Sequence, residues 1–348
     1  MGSDSNKSIT DSIFTGMDYF RLFDTYSFIK KNVRAQFTIV MYHRVGANNE
    51  DWSVDIIDTS VFEKQIKYLK KTHTIMSLED FAKNINKKKK LPKRVAIITF
   101  DDGYKDNYKN AYPILKKYKI PATIFLTTGH IDNDKLFWWD KLGYILLNLK
   151  QEEITLKDFG VIKPSLIQKS RNTFDETMYR FSNITEQKKL EIIKELERIF
   201  NKDIPKEIGK NNTLSWDNIK EMSENNIYFG AHSVNHPILT QIPLKQAEYE
   251  ISQSKTDIEK RINQKITAFS YPNGLADDYN KDIIDLLQKY GFICSVTRIP
   301  NTITQKTNLF ELGRVPPGWN YESFKFCISG IYSDFYNAFK LGLDESKY

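Results

Sequence analysis

VAIITFDDGYKDNY (95–108) is the stretch on which the fold turns. Val95 to Phe100 carry no polar alternation, the pattern of a strand covered on both faces, as in a parallel sheet. The run ends in two adjacent carboxylates, Asp101 and Asp102, followed by Gly103. Two like charges at a strand end are unfavourable unless a metal, a cation or water offsets them.

The same rhythm continues on either side. QFTIVMYHRV (36–45) reads as a buried strand ending at Tyr42-His43, and IPATIFLTT (120–128) as the strand after the quoted one. IYFGAHS (227–233), ITAFSYP (266–272) and FICSVT (292–297) read as later strands. Between them lie helical patterns: VFEKQIKYLKK (61–71), SLEDFAKNI (77–85) with Ser77 as N-cap and Asp80 at the capping-box position, NYKNAYPILKKY (107–118) with Pro113 early or bending it, WDNIKEM (216–222), LKQAEYEISQSKTDIEKRI (244–262) and DIIDLLQKY (282–290). NKKKKLPKR (86–94) reads as a solvated loop. Strand and helix in alternation imply right-handed βαβ units around a parallel sheet or barrel. His43, Asp101-Asp102, His232-Ser233 and Tyr271-Pro272-Asn273 all follow strands, and barrels gather their active sites at the carboxyl ends of strands. From Trp138 to Asn212 the rhythm breaks into a polar, mostly helical insertion, with EQKKLEIIKELERIF (186–200) its clearest helix.

The 348 residues, 40% hydrophobic and 27% charged, can bury a sizeable core, which argues against global disorder. Fifty-one basic against 44 acidic side chains leave a net charge of +7, a mild excess that does not mark a nucleic-acid binder. Cys294 and Cys327 show no CxxC spacing, so no disulfide framework is expected. No apolar run reaches the ~18 residues of a transmembrane helix. The amphipathic stretch within residues 1–35 reads as a helix packed on the main domain, with an interfacial membrane helix as the alternative. Without an export pattern at the N-terminus, the expected location is cytoplasmic, with peripheral contact at the inner membrane in view.

Five histidines occur, and His232 and His236 form H-x3-H. On a helical turn this spacing places both imidazoles on one face, within reach of one ion. Brought to the same barrel face as the Asp pair, they would let one Asp ligate a divalent ion while the other stays free as a base. Two imidazoles and one carboxylate leave coordination positions open, as a catalytic metal requires. His73, after a helix, is expected to be solvated. The tryptophans of FWWD (137–140) suit either core packing or a sugar face.

TFDDG (99–103) with HSVNH (232–236) resembles the polysaccharide deacetylases, carbohydrate esterase family 4, the NodB-homology domain. MYHRV (41–45), IPATIFL (120–126), LSWDNIKEM (214–222) and FSYPNG (269–274) are similar to the same family. The resemblance spans roughly residues 36–320, apart from the 138–212 insertion, and leaves 321–348 as a C-terminal extension. It implies a distorted (β/α) barrel and metal-dependent removal of acetyl groups from N-acetylated sugars of a bacterial polysaccharide or lipid-linked glycan. By position it implies Asp102, His232 and His236 as ligands of a divalent metal, commonly zinc. Asp101 would be the general base that takes a proton from the attacking water, and the backbone N–H of Asn273 would meet the oxyanion.

Two departures stand out. The family's third motif, Arg-x-Pro-aromatic, is here Ser270-Tyr271-Pro272-Asn273, without the arginine that orients the base. No histidine follows His236 to serve as the general acid of the last motif. A branch of the family, including biofilm poly-N-acetylglucosamine deacetylases, looks circularly permuted and carries that histidine in an N-terminal Tyr-His pair. Tyr42-His43 fits it, which makes His43 the expected acid. Arg314 in LGRVPPG (312–318) is the candidate to hold Asp101, with Arg44 in reserve. The competing readings are a sugar O-acetyl esterase, a catalytically inactive glycan-binding protein on the same barrel, and an iron oxygenase facial triad. The last usually needs an early H-x-D that this chain lacks.

Overall fold

The computed structural model describes residues 35–47, 56–157, 159–210 and 212–339. The expected N-terminal helix, and the C-terminal extension beyond residue 339, lie outside the described residues. The apolar runs become strands β1 (Gln36–Tyr42), β2 (Arg44–Val45), β3 (Ile56–Ile57), β4 (Thr74–Ile75), β5 (Arg94–Phe100), β6 (Ala122–Leu126), β7 (Ile154–Leu156), β8 (Gly160–Ile162), β9 (Ile227–Ala231), β10 (Ala268–Ser270) and β11 (Cys294–Val296).

Seven of these form one parallel sheet in the order β1-β5-β6-β9-β10-β11, with β4 alongside the start of β5. Residues 312–315 then join the two outer strands. Leu312 bridges Val296 of β11, and Val315 bridges Val40 of β1, both in parallel sense. The Met41 N–H donates to the Val315 carbonyl at 3.0 Å, and the Leu312 carbonyl accepts from the Thr297 N–H at 2.9 Å. The sheet thereby curls into the distorted barrel that the family resemblance implied, where the alternation of elements alone left an open parallel sheet equally in view.

Strand parity decides what faces inward. Ala96, Ile98 and Phe100 of β5 join Val40 and Tyr42 of β1 in a core under the surrounding helices. Val95 and Ile97 join Phe37, Ile39, Val296 and Leu312 in the inner core, which the helix Leu78–Asn86 plugs with Leu78 and Phe81. Each such buried side chain is worth about 1.5–3 kcal/mol. Because side chains alternate with period two, the inner parity continues through Thr99 to Asp101 and through Met41 to His43.

Residues 138–210 form helices Trp138–Asn148, Pro164–Ile167, Arg171–Ser182, Glu186–Phe200 and Lys206–Lys210, together with the β7–β8 hairpin. Their apolar faces meet in a separate core that includes Leu142, Ile145, Phe174, Phe181, Ile192 and Leu196. Thr185 caps Glu186–Phe200 by accepting from the Lys188 N–H, and Asn201 ends it in the left-handed conformation. Ser77 caps Leu78–Asn86 through the Asp80 N–H. Pro113, which lacks an N–H, is accommodated by a π-helical turn, Asn107–Ala111, ahead of Tyr112–Tyr118. Among the described residues no helix is long and apolar enough to cross a membrane.

Candidate active site

Asp101 follows β5 on the inner parity, and Arg314 projects from the closing segment on the same parity. The two meet in a bidentate pair. Arg314 Nη1 donates to Asp101 Oδ1 and Nη2 to Oδ2, each at 2.7 Å. Arg314 is 1% exposed. Its Nε donates to the Thr297 carbonyl at 3.0 Å, and Nη2 also reaches the Ser270 hydroxyl at 3.1 Å. The serine standing at the motif arginine's position thus helps seat an arginine that arrives from residue 314. Burial pushes the Asp101 carboxyl up, but Arg314, with smaller help from His232 and His43, holds it well below the usual carboxylate range. Arg44, the reserve partner, is engaged elsewhere: its Nε pairs with Asp106 at 2.8 Å.

Asp102 turns away from Asp101 because its backbone is left-handed, φ 72°. Gly103 follows at φ 77°, where a Cβ would be strained by the backbone and would stand 2.9 Å from Leu126 Cδ2, so the turn favours glycine. Asp102 Oδ1 stands 3.5 Å from His232 Nε2 and 3.6 Å from His236 Nε2. His232 follows β9, and its Nδ1 lies 2.8 Å from the Ser270 carbonyl. That bond places a proton on Nδ1 and turns Nε2 toward Asp102; burial pushes the ring down, but Asp102 and Asp101 hold it above its ordinary value, and an ion at Nε2 would take the place of that proton. The two imidazoles do not share a helical face, as their spacing suggested. Residues 232–236 form a loop in which Ser233 and His236 adopt positive φ, and the rings stand 4.7 Å apart at 80°. Glu250, 1% exposed on the helix Leu244–Ile262, holds this loop: Oε2 accepts the N–H groups of Val234 and Asn235 at 2.7 and 2.8 Å.

Asp102 Oδ1 is buried without a hydrogen-bond partner. One ligand atom from each of Asp102, His232 and His236 lies within 4.8 Å of the others. Two ligands of a tetrahedral ion, each about 2.0–2.1 Å from it, stand about 3.4 Å apart, close to the 3.5 and 3.6 Å that separate Asp102 Oδ1 from the two imidazole nitrogens, so this donor set suits a divalent cation. One carboxylate and two neutral imidazoles suit zinc and its first-row neighbours. Burial, followed by His232, pushes His236 down to about 3, so it is a neutral donor at pH 7.

A cleft of about 320 Å³ opens over these residues, lined also by His43, Trp138, Trp139 and Asn273. His43 follows β1 and is half-buried, beside both carboxylates. Asn273 has φ 60°, and its side chain is turned away to Asp278 Oδ2 at 2.7 Å. Trp139 packs edge-on to His236 at 4.8 Å, and its Nε1 donates to the Tyr104 hydroxyl at 2.6 Å. Tyr104 in turn donates to the buried Asp140 at 3.1 Å. The FWWD stretch therefore both packs the insertion core and walls the site. The FWWD tryptophans were already candidates for a sugar face, whereas Tyr104 and Glu250 carried no motif to mark them. The clue was a polar residue at a buried helical position, visible only once the buried face is known. His130 is stacked on Phe137 at 4.1 Å and is buried. His73 is not solvated: its Nε2 is buried, and burial followed by Arg94 pushes the ring down to about 3.

The sequence matches a family model described as polysaccharide deacetylase over residues 88–294. YxkH of Bacillus subtilis, named for the same family, is 24% identical over 304 residues, which are 86% of this chain and 79% of that protein. The poly-beta-1,6-N-acetyl-D-glucosamine N-deacetylase of Staphylococcus aureus is 46% identical over 88 residues, 25% of this chain and 30% of that enzyme. Among solved structures, the Streptococcus pyogenes deacetylase PplD in complex with acetate shares the fold. Its TM-score is 0.57 at 21% identity, over 85% of this chain and 99% of that one.

Proposed function

Because the chain belongs to the polysaccharide deacetylase family, we propose that it is a metal-dependent N-deacetylase acting on N-acetylated sugars of a bacterial glycan. The observation that carries this reading is one constellation. The orphaned Asp102 oxygen and two imidazole nitrogens are set for an ion, and Asp101 is held beside them by Arg314.

Asp102, His232 and His236 would hold a divalent cation, zinc by donor set, which acidifies water and polarises an acetyl carbonyl. Asp101 takes the proton of the attacking water. Its carboxyl is held well below the usual range, so it is ionised and ready to accept that proton, and it is neutral once the proton has arrived. Arg314 fixes its orientation as well as its charge. His43, which lines the same cleft, would give a proton to the departing amine, which is too poor a leaving group without one. The backbone N–H of Asn273, a residue that lines the cleft, would meet the oxyanion. The similarity to the Staphylococcus aureus enzyme makes β-1,6-linked N-acetylglucosamine the first glycan to test.

The test is metal content beside acetate release from such oligomers. One equivalent of zinc or a similar ion, with acetate release lost in both Asp101→Asn and His232→Ala and metal lost only in the second, is the expected result. Bound metal with no acetate release from any N-acetylated glycan overturns the reading.

A further inference from the structure

The helical insertion contributes a whole wall of the cleft. Arg171, Asp175, Glu186 and Lys189 line it together with Trp138. Lys189 is the anomaly. It is 2% exposed and belongs to the buried face of the helix Glu186–Phe200 with Ile192, Ile193 and Leu196. A stability-optimised helix would carry Leu at such a position, since a buried lysine is costly even when paired. Its Nζ donates to Glu186 Oε1 at 2.7 Å and stands 4.4 Å from the centre of the Trp138 ring. Trp138 meets Trp139 edge-on at 5.5 Å, and Trp139 meets His236 at 4.8 Å. A ladder of contacts therefore runs from a candidate metal ligand outward along the cleft to a fixed ammonium–carboxylate pair. Arg171 and Asp175 pair at 2.9 Å in the same wall, so its charges cancel. Hydrogen-bonding groups of both signs beside a rigid indole, with no net charge, fit a neutral polyhydroxylated ring rather than a polyanion.

We infer that the insertion forms a second sugar-binding subsite, in which Trp138 and the Lys189–Glu186 pair take the pyranose adjoining the one that bears the acetyl group. The inference rests on the deacetylase reading and specifies its substrate as an oligomer rather than a single sugar.

The test follows N-acetylglucosamine and its β-1,6-linked di- to pentasaccharides by tryptophan fluorescence and by acetate release, on the full chain loaded with zinc. Kd is expected to fall at least tenfold from mono- to trisaccharide. That gain is expected to shrink to less than threefold in Lys189→Met and in Glu186→Gln, and to return in part in Lys189→Arg. Metal content and thermal midpoint identify any variant that has lost its fold, and Glu186→Gln changes no volume. Equal Kd for mono- and trisaccharide, or a length dependence unchanged in both variants, overturns the subsite. Length-dependent binding without acetate release keeps the subsite and overturns the deacetylase reading. Acetate release without length-dependent binding does the reverse.

Discussion

At position 270 the chain has a serine where the resembled motif has an arginine, and the guanidinium comes instead from residue 314, 213 positions away from its carboxylate partner. The small side chain leaves the room that Arg314 fills. Removing one partner of a buried pair leaves an uncompensated charge, so Arg314→Met should cost about 3–5 kcal/mol in urea unfolding and abolish acetate release. Ser270→Arg combined with Arg314→Ser should regain part of both, whereas Ser270→Arg alone should destabilise by crowding two guanidinium groups. His73 gives a second check. Its folded-state pKa, about 3, lies below the ordinary 6.5, so the unfolded chain takes up the proton first. Stability is fully present above pH 6.5 and is lost as pH falls toward 3, by about 2 kcal/mol between pH 6.5 and 5. His73→Gln should flatten that part of the pH–stability curve, and an unchanged slope would refute the assignment. At this scale Asp101, Asp102, His232 and His236 were legible because each motif is contiguous. The Arg314–Asp101 pair was only a candidate, because no local pattern encodes a contact across 213 residues.

The element scale is where spacing misled. H-x3-H suggested a helical turn, but the imidazoles converge through a loop with two left-handed residues, and a neighbouring helix holds it in place. Glu250→Ala would strand the N–H groups of Val234 and Asn235 and slacken the loop without touching a ligand. Zinc affinity, read by competition with a chromophoric chelator, should weaken about 10–100-fold, as loss of supporting bonds around metal ligands generally does. Unchanged affinity would show that the loop holds its own shape. The barrel strands and surrounding helices were readable from period-two and period-3.6 patterns over well-bounded runs. The β7–β8 hairpin was not, because its three-residue strands lie in a polar stretch, whereas the equally short β10 and β11 sit inside longer apolar runs.

On the scale of the whole molecule, binding to the native state alone adds stability by mass action. Zinc at 100 times its Kd should raise the unfolding free energy by about 2.7 kcal/mol, and a chelator should remove that gain in the wild type but not in His232→Ala. A scan with and without chelator reads both. The barrel itself was legible in outline, but its closure was not, because residues 312–315 make a bridge to each side and form no strand run of their own. That closure has a consequence for biosynthesis. The ribosome completes Gln36–Phe100 long before it reaches Arg314, so the nascent barrel holds a carboxylate with no counter-charge and a first strand with one open edge. Folding must wait for nearly the last barrel residue, which makes the contact order high and the chain slow to commit. Incomplete chains that end short of Arg314 should therefore be proteolytically labile and inert, so that only finished copies carry a competent site.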